Sequence, residues 1–202
     1  SEFDVMLSAL SGVRDIALKL GAKAVEYFFP GFPVHINKTI SDVTPVYDLV
    51  FSGQWTLAQH PRRNRYLTEI ANEASNPNPG FSCAFYLSGQ VDTVPPEVAQ
   101  YDKGGHFGID MYRALRSGRI AFDARGVIET KDPITGQMVD LADKETANMR
   151  IFEATGCGVF LLTEYYENLD QYFEIGTEIE TFADRDELID KIRYYTNNHE
   201  KR

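Results

Sequence analysis

Residues 146–163, Thr-Ala-Asn-Met-Arg-Ile-Phe-Glu-Ala-Thr-Gly-Cys-Gly-Val-Phe-Leu-Leu-Thr, pass from a helical pattern to a strand pattern within three residues. The spacing predicts a helix over 146–155. Gly156 and Gly158 stop it, and the apolar run 159–163 follows as a buried strand. A helix that feeds straight into a fully apolar strand is the signature of a parallel sheet covered on both faces.

The same alternation extends outward in both directions. Strand patterns occur at 47–52, 81–87, 119–123 and 178–182, with helical patterns at 62–74, 107–117, 166–173 and 186–197. Together these predict an α/β fold with a Rossmann-like, mostly parallel sheet and helices on both faces. Ahead of it, an apolar run at 4–10, a helical stretch at 13–20 and a strand pattern at 24–29 make a short β-α-β piece. Residues 34–46 read as a connector, and 76–80 and 129–144 as loops, on their prolines and glycines. The expected division is therefore 1–36, a linker at 37–46, and a larger domain at 47–202.

Composition narrows the function classes. A net charge of −10 argues against a broad grip on nucleic acid, although Arg62, Arg63 and Arg65 form a local basic cluster. No run approaches the roughly 20 apolar residues of a membrane span. Cys83 and Cys157 lack metal-type spacing and read as buried thiols of a reducing, cytoplasmic protein. The sequence has no GxxxxGK[ST], no GxSxG, no GxGxxG after a strand, and no HExxH among its four histidines. Asp184-Arg185-Asp186 could chelate a cation, but Asp184 and Asp186 stand where a helix N-cap belongs, and that reading is preferred. No metal or cofactor is expected.

Ligands of open parallel sheets bind beyond the carboxyl ends of the strands, which directs attention to the loops near Ser52, Ser88, Asp123 and Thr163. Asp123 and Arg125 end a strand there. His106 lies in Gly104-Gly105-His106-Phe107-Gly108, an entry whose backbone N–H groups could cradle an anion or simply cap a loop. On a continuous helix Glu145 and Glu153 would lie ~12 Å apart, so they could flank one bound molecule. The plainer alternatives are a helix-end carboxylate for Glu153, helix N-terminal charge stabilisation for Glu145, and a solvated helix start for the arginines. Tyr86 is the candidate for stacking on a base.

The run 148–163 (NMRIFEATGCGVFLLT) with ENL at 167–169, FGIDMYRALRSGRIAFDARG at 107–126, DLVFSGQW at 48–55 and the tail 174–195 resemble the C-terminal domain of GT-B glycosyltransferases. They are similar in particular to the bacterial group related to the spore-maturation protein CgeB. EATGCG also resembles the EAxAxG element of group-1 glycosyltransferases, and Glu145 and Glu153 have that family's E-x7-E spacing. The resemblance implies that 47–202 binds a nucleoside-diphosphate sugar and that 1–36 ends an acceptor-side domain. It further implies metal-independent transfer to the hydroxyl of a glycan, lipid or protein acceptor, with little transfer by these residues alone. Glu145 is the catalytic candidate, near the sugar. The donor-binding candidates are Glu153 at the ribose, Arg62 and Arg63 at the phosphates, and Gly53, His106, Asp123, Asn148 and Arg150. A nucleotide-sugar epimerase of the same fold and a non-catalytic scaffold for surface or spore-layer assembly stay open.

Overall fold

In a computed structural model, residues 4–76 and 80–202 are described, so the loop expected at 76–80 lies mostly outside the described residues. The first unit is β1 (Met6–Ser8), α1 (Ser11–Lys19) and β2 (Val25–Tyr27), followed by the one-turn helix α2 (Ile36–Thr39). The larger series runs β3 (Tyr47–Trp55), α3 (Pro61–Ala74), β4 (Cys83–Gly89), α4 (Pro96–Ala99), α5 (Gly108–Arg116) and β5 (Gly118–Asp123). It continues through a hairpin, β6 (Glu129–Lys131) and β7 (Met138–Asp140), then α6 (Met149–Gly156), β8 (Phe160–Glu164), β9 (Glu180–Phe182) and α7 (Arg185–Asn197).

Five strands form one parallel sheet in the order β4-β3-β5-β8-β9, while β1 and β2 pair in a separate parallel ribbon. Successive strand residues point to opposite faces, and each face carries its own core. Leu49, Phe51, Phe85, Ile120 and Phe122 meet Leu67 and Ile70 of α3 and Leu188, Ile189 and Ile192 of α7. Val50, Ala84, Ala121 and Leu161 meet Met111, Ala114 and Leu115 of α5 and Ile151 and Ala154 of α6. Small residues on the second face let its helices approach closely.

Local chemistry fixes several helix ends. Pro61 opens α3 at a position where its missing N–H costs nothing. Asp184 caps α7, accepting from the Asp186 and Glu187 amides at 3.0 Å each, as the cap reading of Asp184-Arg185-Asp186 expects. Gly158 has φ +74°, the left-handed conformation that turns the chain from α6 into β8.

The structure corrects three local expectations. The helix expected at 166–173 is a single 3-10 turn, Leu169–Gln171, and the 129–144 loop contains the β6–β7 hairpin. The helix expected from 146 starts only at Met149. The buried Asn168 amide holds the Thr146 backbone at both ends, accepting from its N–H and donating to its carbonyl, each at 2.8 Å. That pairing replaces the bonds a helix would need there, so Glu145 lies outside α6.

The β1–α1–β2 unit is tied to the larger domain by polar contacts. Lys19 Nζ meets the Asp132 carboxylate at 2.6 Å, Glu145 accepts from the Ser11 amide at 2.8 Å, and the Tyr27 and Tyr172 hydroxyls lie 2.9 Å apart. Val5, Leu7, Leu20, Phe28 and Phe29 remain exposed.

Two stability predictions follow from these contacts. A Cβ on Gly156 would lie 2.2 Å from the Phe32 ring. Gly156→Ala should therefore cost about 1–3 kcal/mol, lowering Tm by about 2–4 °C per kcal/mol, whereas Gly31→Ala, in open space, should leave Tm unchanged. The hydrogen bond from Lys19, followed by those from the Thr135 and Ile134 amides, holds Asp132 down to about 2. A depressed carboxylate stabilises the fold above its unfolded value and loses that contribution as pH falls through the folded value. Thermal melts of wild type and Asp132→Asn should thus differ most above pH 4 and converge toward pH 2.

Candidate functional site

The order of strands creates the site. From β3 the chain moves through α3 on one face, and from β5 it reaches α6 on the other, so the two loops diverge at the carboxyl edge of the sheet. Such a switch point opens a crevice. Here it is about 320 Å³, bounded by Ser52, Gly53 and Gln54 of β3, the start of α3, the end of β4, the 106–108 loop and Arg150.

Arg63, in the first turn of α3, is buried; it donates to the Gln54 carbonyl and lies over the Phe51 ring, 5.0 Å from its centroid. Desolvation, assisted by the nearby Arg150 charge, pulls its pKa down to about 10, which still leaves it a cation at neutral pH. Its buried Nε atom has no hydrogen-bond partner in the protein. Arg150, in the first turn of α6, contacts Met111 Sδ and pairs with Glu153 at 3.0 Å. Glu153 also accepts from the Tyr112 hydroxyl at 3.4 Å.

Behind the crevice Asp123 is 2% exposed and accepts from the Asn148 amide at 2.7 Å. Burial raises its pKa, opposed by that hydrogen bond and by the Arg63 and Arg150 charges. Asn148 stands at the N-cap of α6, yet its side chain makes no cap bond. It serves Asp123 instead, which leaves the first amides of α6 without a side-chain acceptor.

His60 shares the wall. Thr56 Oγ1 lies 2.6 Å from its Nδ1, and Gly126 packs so closely that a Cβ there would fall 2.7 Å from Nε2. Burial, then the Arg63 charge, lowers its pKa to about 4, so the imidazole is neutral at physiological pH. His106 packs edge-on against the Tyr86 ring, 4.9 Å between centroids, and its Nδ1 is 3.0 Å from the Gly104 carbonyl. Tyr86 itself is buried and its hydroxyl lies 3.0 Å from Ser117 Oγ. Its ring is covered, so the expected stacking role does not fit it.

The structure therefore gathers Gly53, Arg63, His106 and Arg150 around one crevice, with Asp123 and Asn148 behind it and Glu153 tied to Arg150. Arg62 and Glu145 lie elsewhere. Arg62, one helical step from Arg63, turns away to pair with the buried Glu164 at 2.9 Å, beside Arg125 and Tyr166 in a second cleft. There the Tyr166 hydroxyl donates to Glu164 at 2.5 Å and accepts from the Arg125 amide at 3.0 Å. Glu145 reaches the N-terminus of α1, where its charge suits the helix dipole. Sequence reasoning missed Gln54 and His60, because nothing in their local pattern separates them from ordinary loop residues, whereas Ser52 and Ser88, at strand ends it singled out, line the crevice.

Among the described residues no group of three or more His, Cys, Asp and Glu could hold a metal ion, and no helix is long and apolar enough to cross a membrane. Cys83 and Cys157 are free and buried, and burial pushes their thiols up to about 12 and about 11.

Comparison with known proteins places this architecture. HepE of Anabaena, solved with UDP and glucose, matches with TM-score 0.60 at 10% identity over 98% of this chain and 55% of its own. Sucrose-phosphate synthase of Thermosynechococcus elongatus matches with TM-score 0.56 at 11% identity over 98% and 50%. The C-terminal domain of the group 1 glycosyl transferase LpcC of Francisella tularensis matches with TM-score 0.52 at 8% identity over 86% and 87%. The chain thus spans about half the length of the first two, and at these identities the likeness establishes the GT-B, Rossmann-like fold alone. No protein of curated function matches its sequence. Residues 62–202 match the family model described as glycosyl transferase-like, and the chain belongs to that family.

Proposed function

We propose that residues 47–202 bind a nucleoside-diphosphate sugar in the switch-point crevice and that the protein transfers the sugar to an acceptor hydroxyl. The observation that carries this reading is that two cations, the buried Arg63 and Arg150, line one crevice at the carboxyl edge of the sheet, Arg150 standing in the first turn of the uncapped helix α6. A diphosphate would meet both cations there, and a departing diphosphate develops the negative charge that they would stabilise. We assign that charge stabilisation to side chains and helix amides, with no metal or cofactor in the step.

Glu153 is the proposed ribose ligand. Its two oxygens already serve Arg150 and Tyr112, but a carboxylate has about four acceptor positions, leaving room for vicinal hydroxyls. Gly53 and His106 border the crevice that Arg150, the ion-pair partner of Glu153, also lines, and Asp123 and Asn148 orient α6 toward it. Arg62 would reach the donor only by leaving Glu164, and Glu145 could act near the sugar only by releasing the Ser11 amide.

Residues 1–36 are proposed to belong with an acceptor-side domain and 37–46 to link it to the donor side. The separate β1–β2 ribbon and the exposed Val5, Leu7 and Leu20 support that division. The closer kinship to the bacterial spore-maturation group rests on the motifs at 148–169. A cytoplasmic site of action, with cytoplasmic sugar nucleotides as donors, completes the proposal.

Calorimetric titration with UDP-, GDP-, dTDP- and CDP-sugars tests it. One nucleotide class should bind, with affinity unaffected by EDTA. Arg63→Gln should weaken it at least about 10-fold, because a buried charge-assisted contact is lost, and Glu153→Ala should weaken nucleotide sugars more than inorganic pyrophosphate. Failure of the folded wild-type protein to bind any of the four would overturn the donor-site reading.

A further inference from the structure

Phe107 is 73% exposed although it sits on the rim of the crevice, in a segment whose backbone is firmly held. The Asp102 carboxylate accepts from the Leu87 and Gly104 amides at 3.1 and 2.9 Å, and the Lys103 amide donates to the Phe85 carbonyl at 2.7 Å. Gly105 is pressed against β4, where a Cβ would come within 2.8 Å of Ser88. His106 is pinned between Tyr86 and the Gly104 carbonyl. Asp102, the Lys103 amide, Gly105 and His106 are all anchored, while the one large apolar side chain of the loop is left facing outward beside a polar, cationic pocket. A hydrophobic core offers no reason for that placement, since Phe107 belongs to neither core cluster.

We propose that the Phe107 ring is the stacking platform for the base of a nucleoside diphosphate whose phosphates lie toward Arg63 and Arg150. This rests on the donor-site reading above and adds the part of the ligand that the guanidinium groups cannot recognise. Charge complementarity fixes the polarity of the ligand: its anionic end goes to the two arginines, and its flat end lies along the rim. Base–aromatic stacking tolerates any base, because each has a π-face. Selectivity among bases must then come from polar groups near the ring rather than from Phe107.

The test compares Phe107→Ala and Phe107→Trp with wild type, using nucleoside diphosphates and inorganic pyrophosphate as titrants. Stacking losses on alanine substitution correspond to roughly 10-fold or more in affinity. Phe107→Ala should therefore weaken the nucleoside diphosphate about 10-fold, leave pyrophosphate unchanged, and recover in Phe107→Trp. Because the ring is exposed, both variants should melt with the wild-type protein, which removes misfolding as an explanation. The proposal is overturned if Phe107→Ala leaves nucleotide binding intact, if it weakens pyrophosphate equally, or if Phe107→Trp fails to recover. Wild-type binding of pyrophosphate without any preference for nucleotides would sink the platform alone. Binding of neither would sink the donor site with it.

Discussion

Strand β3 is hydrogen-bonded along both edges, to β4 over seven register pairs from Leu49 to Trp55 and to β5 from Tyr47 to Val50. The unequal lengths matter. Beyond Val50 the strand keeps its β4 partner but drops β5, so Phe51 through Trp55 project past the β3–β5 seam. The carbonyl of Gln54, freed on that side, receives Arg63. The crevice is thus a consequence of register: a longer β3–β5 pairing would occupy the edge from which the site opens. Burial of Leu49, Val50 and Phe51 between the two cores fixes that register, because a one-residue slip would exchange the faces of the strand.

A second constraint places the other wall. Asn168 captures the Thr146 backbone and delays the start of α6 until Met149, which puts Asn148 at the helix entrance. From there the Asn148 amide reaches Asp123 at the end of β5. The link runs from the loop after β8, through the entrance to α6, to the tip of β5, and it aims Arg150 into the crevice. A helix started three residues earlier, as its amphipathic spacing alone favours, would have had Glu145 at its N-cap. The competition was between intrahelical bonds and a side-chain amide matched to both backbone groups, and the buried amide prevailed.

Much of this was legible in the sequence, for identifiable reasons. The sheet strands announce themselves because strands buried on both faces are continuously apolar, as in Val159–Leu162 and Leu49–Phe51. The α7 cap was readable because Asp184 acts on amides two and three residues away. What could not be read depends on distant partners. The hairpin at Glu129–Asp140 has strands of only three residues each, mostly exposed, too short to show a period, and the 3-10 turn at Leu169 shares its spacing with a true helix. In the site, Arg62 and Arg63 are indistinguishable by composition. The helical step between them sends one toward Glu164 and the other toward Gln54, so only the angular position of α3 on the sheet separates them. His60 carries no motif at all. It matters because Thr56 and Gly126 converge on its ring from two different loops.

The electrostatics of the crevice explain how two guanidinium groups can line the same space. Burying like charges together is costly unless counter-charge is near, and Asp123 and Glu153 supply it. Glu153 is tied directly to Arg150, whereas Asp123 acts on both arginines from a hydrogen-bonded seat behind them. Arg63 is further held by a carbonyl and an aromatic face, contacts that orient the guanidinium without discharging it. The arrangement is therefore preorganised: the protein's own contacts hold both side chains in place. Neutral His60 fits the same logic, since a third cation at that wall would raise the self-repulsion within it. Charge is concentrated on the two arginines of the crevice and withheld from the imidazole, where it would only destabilise the fold.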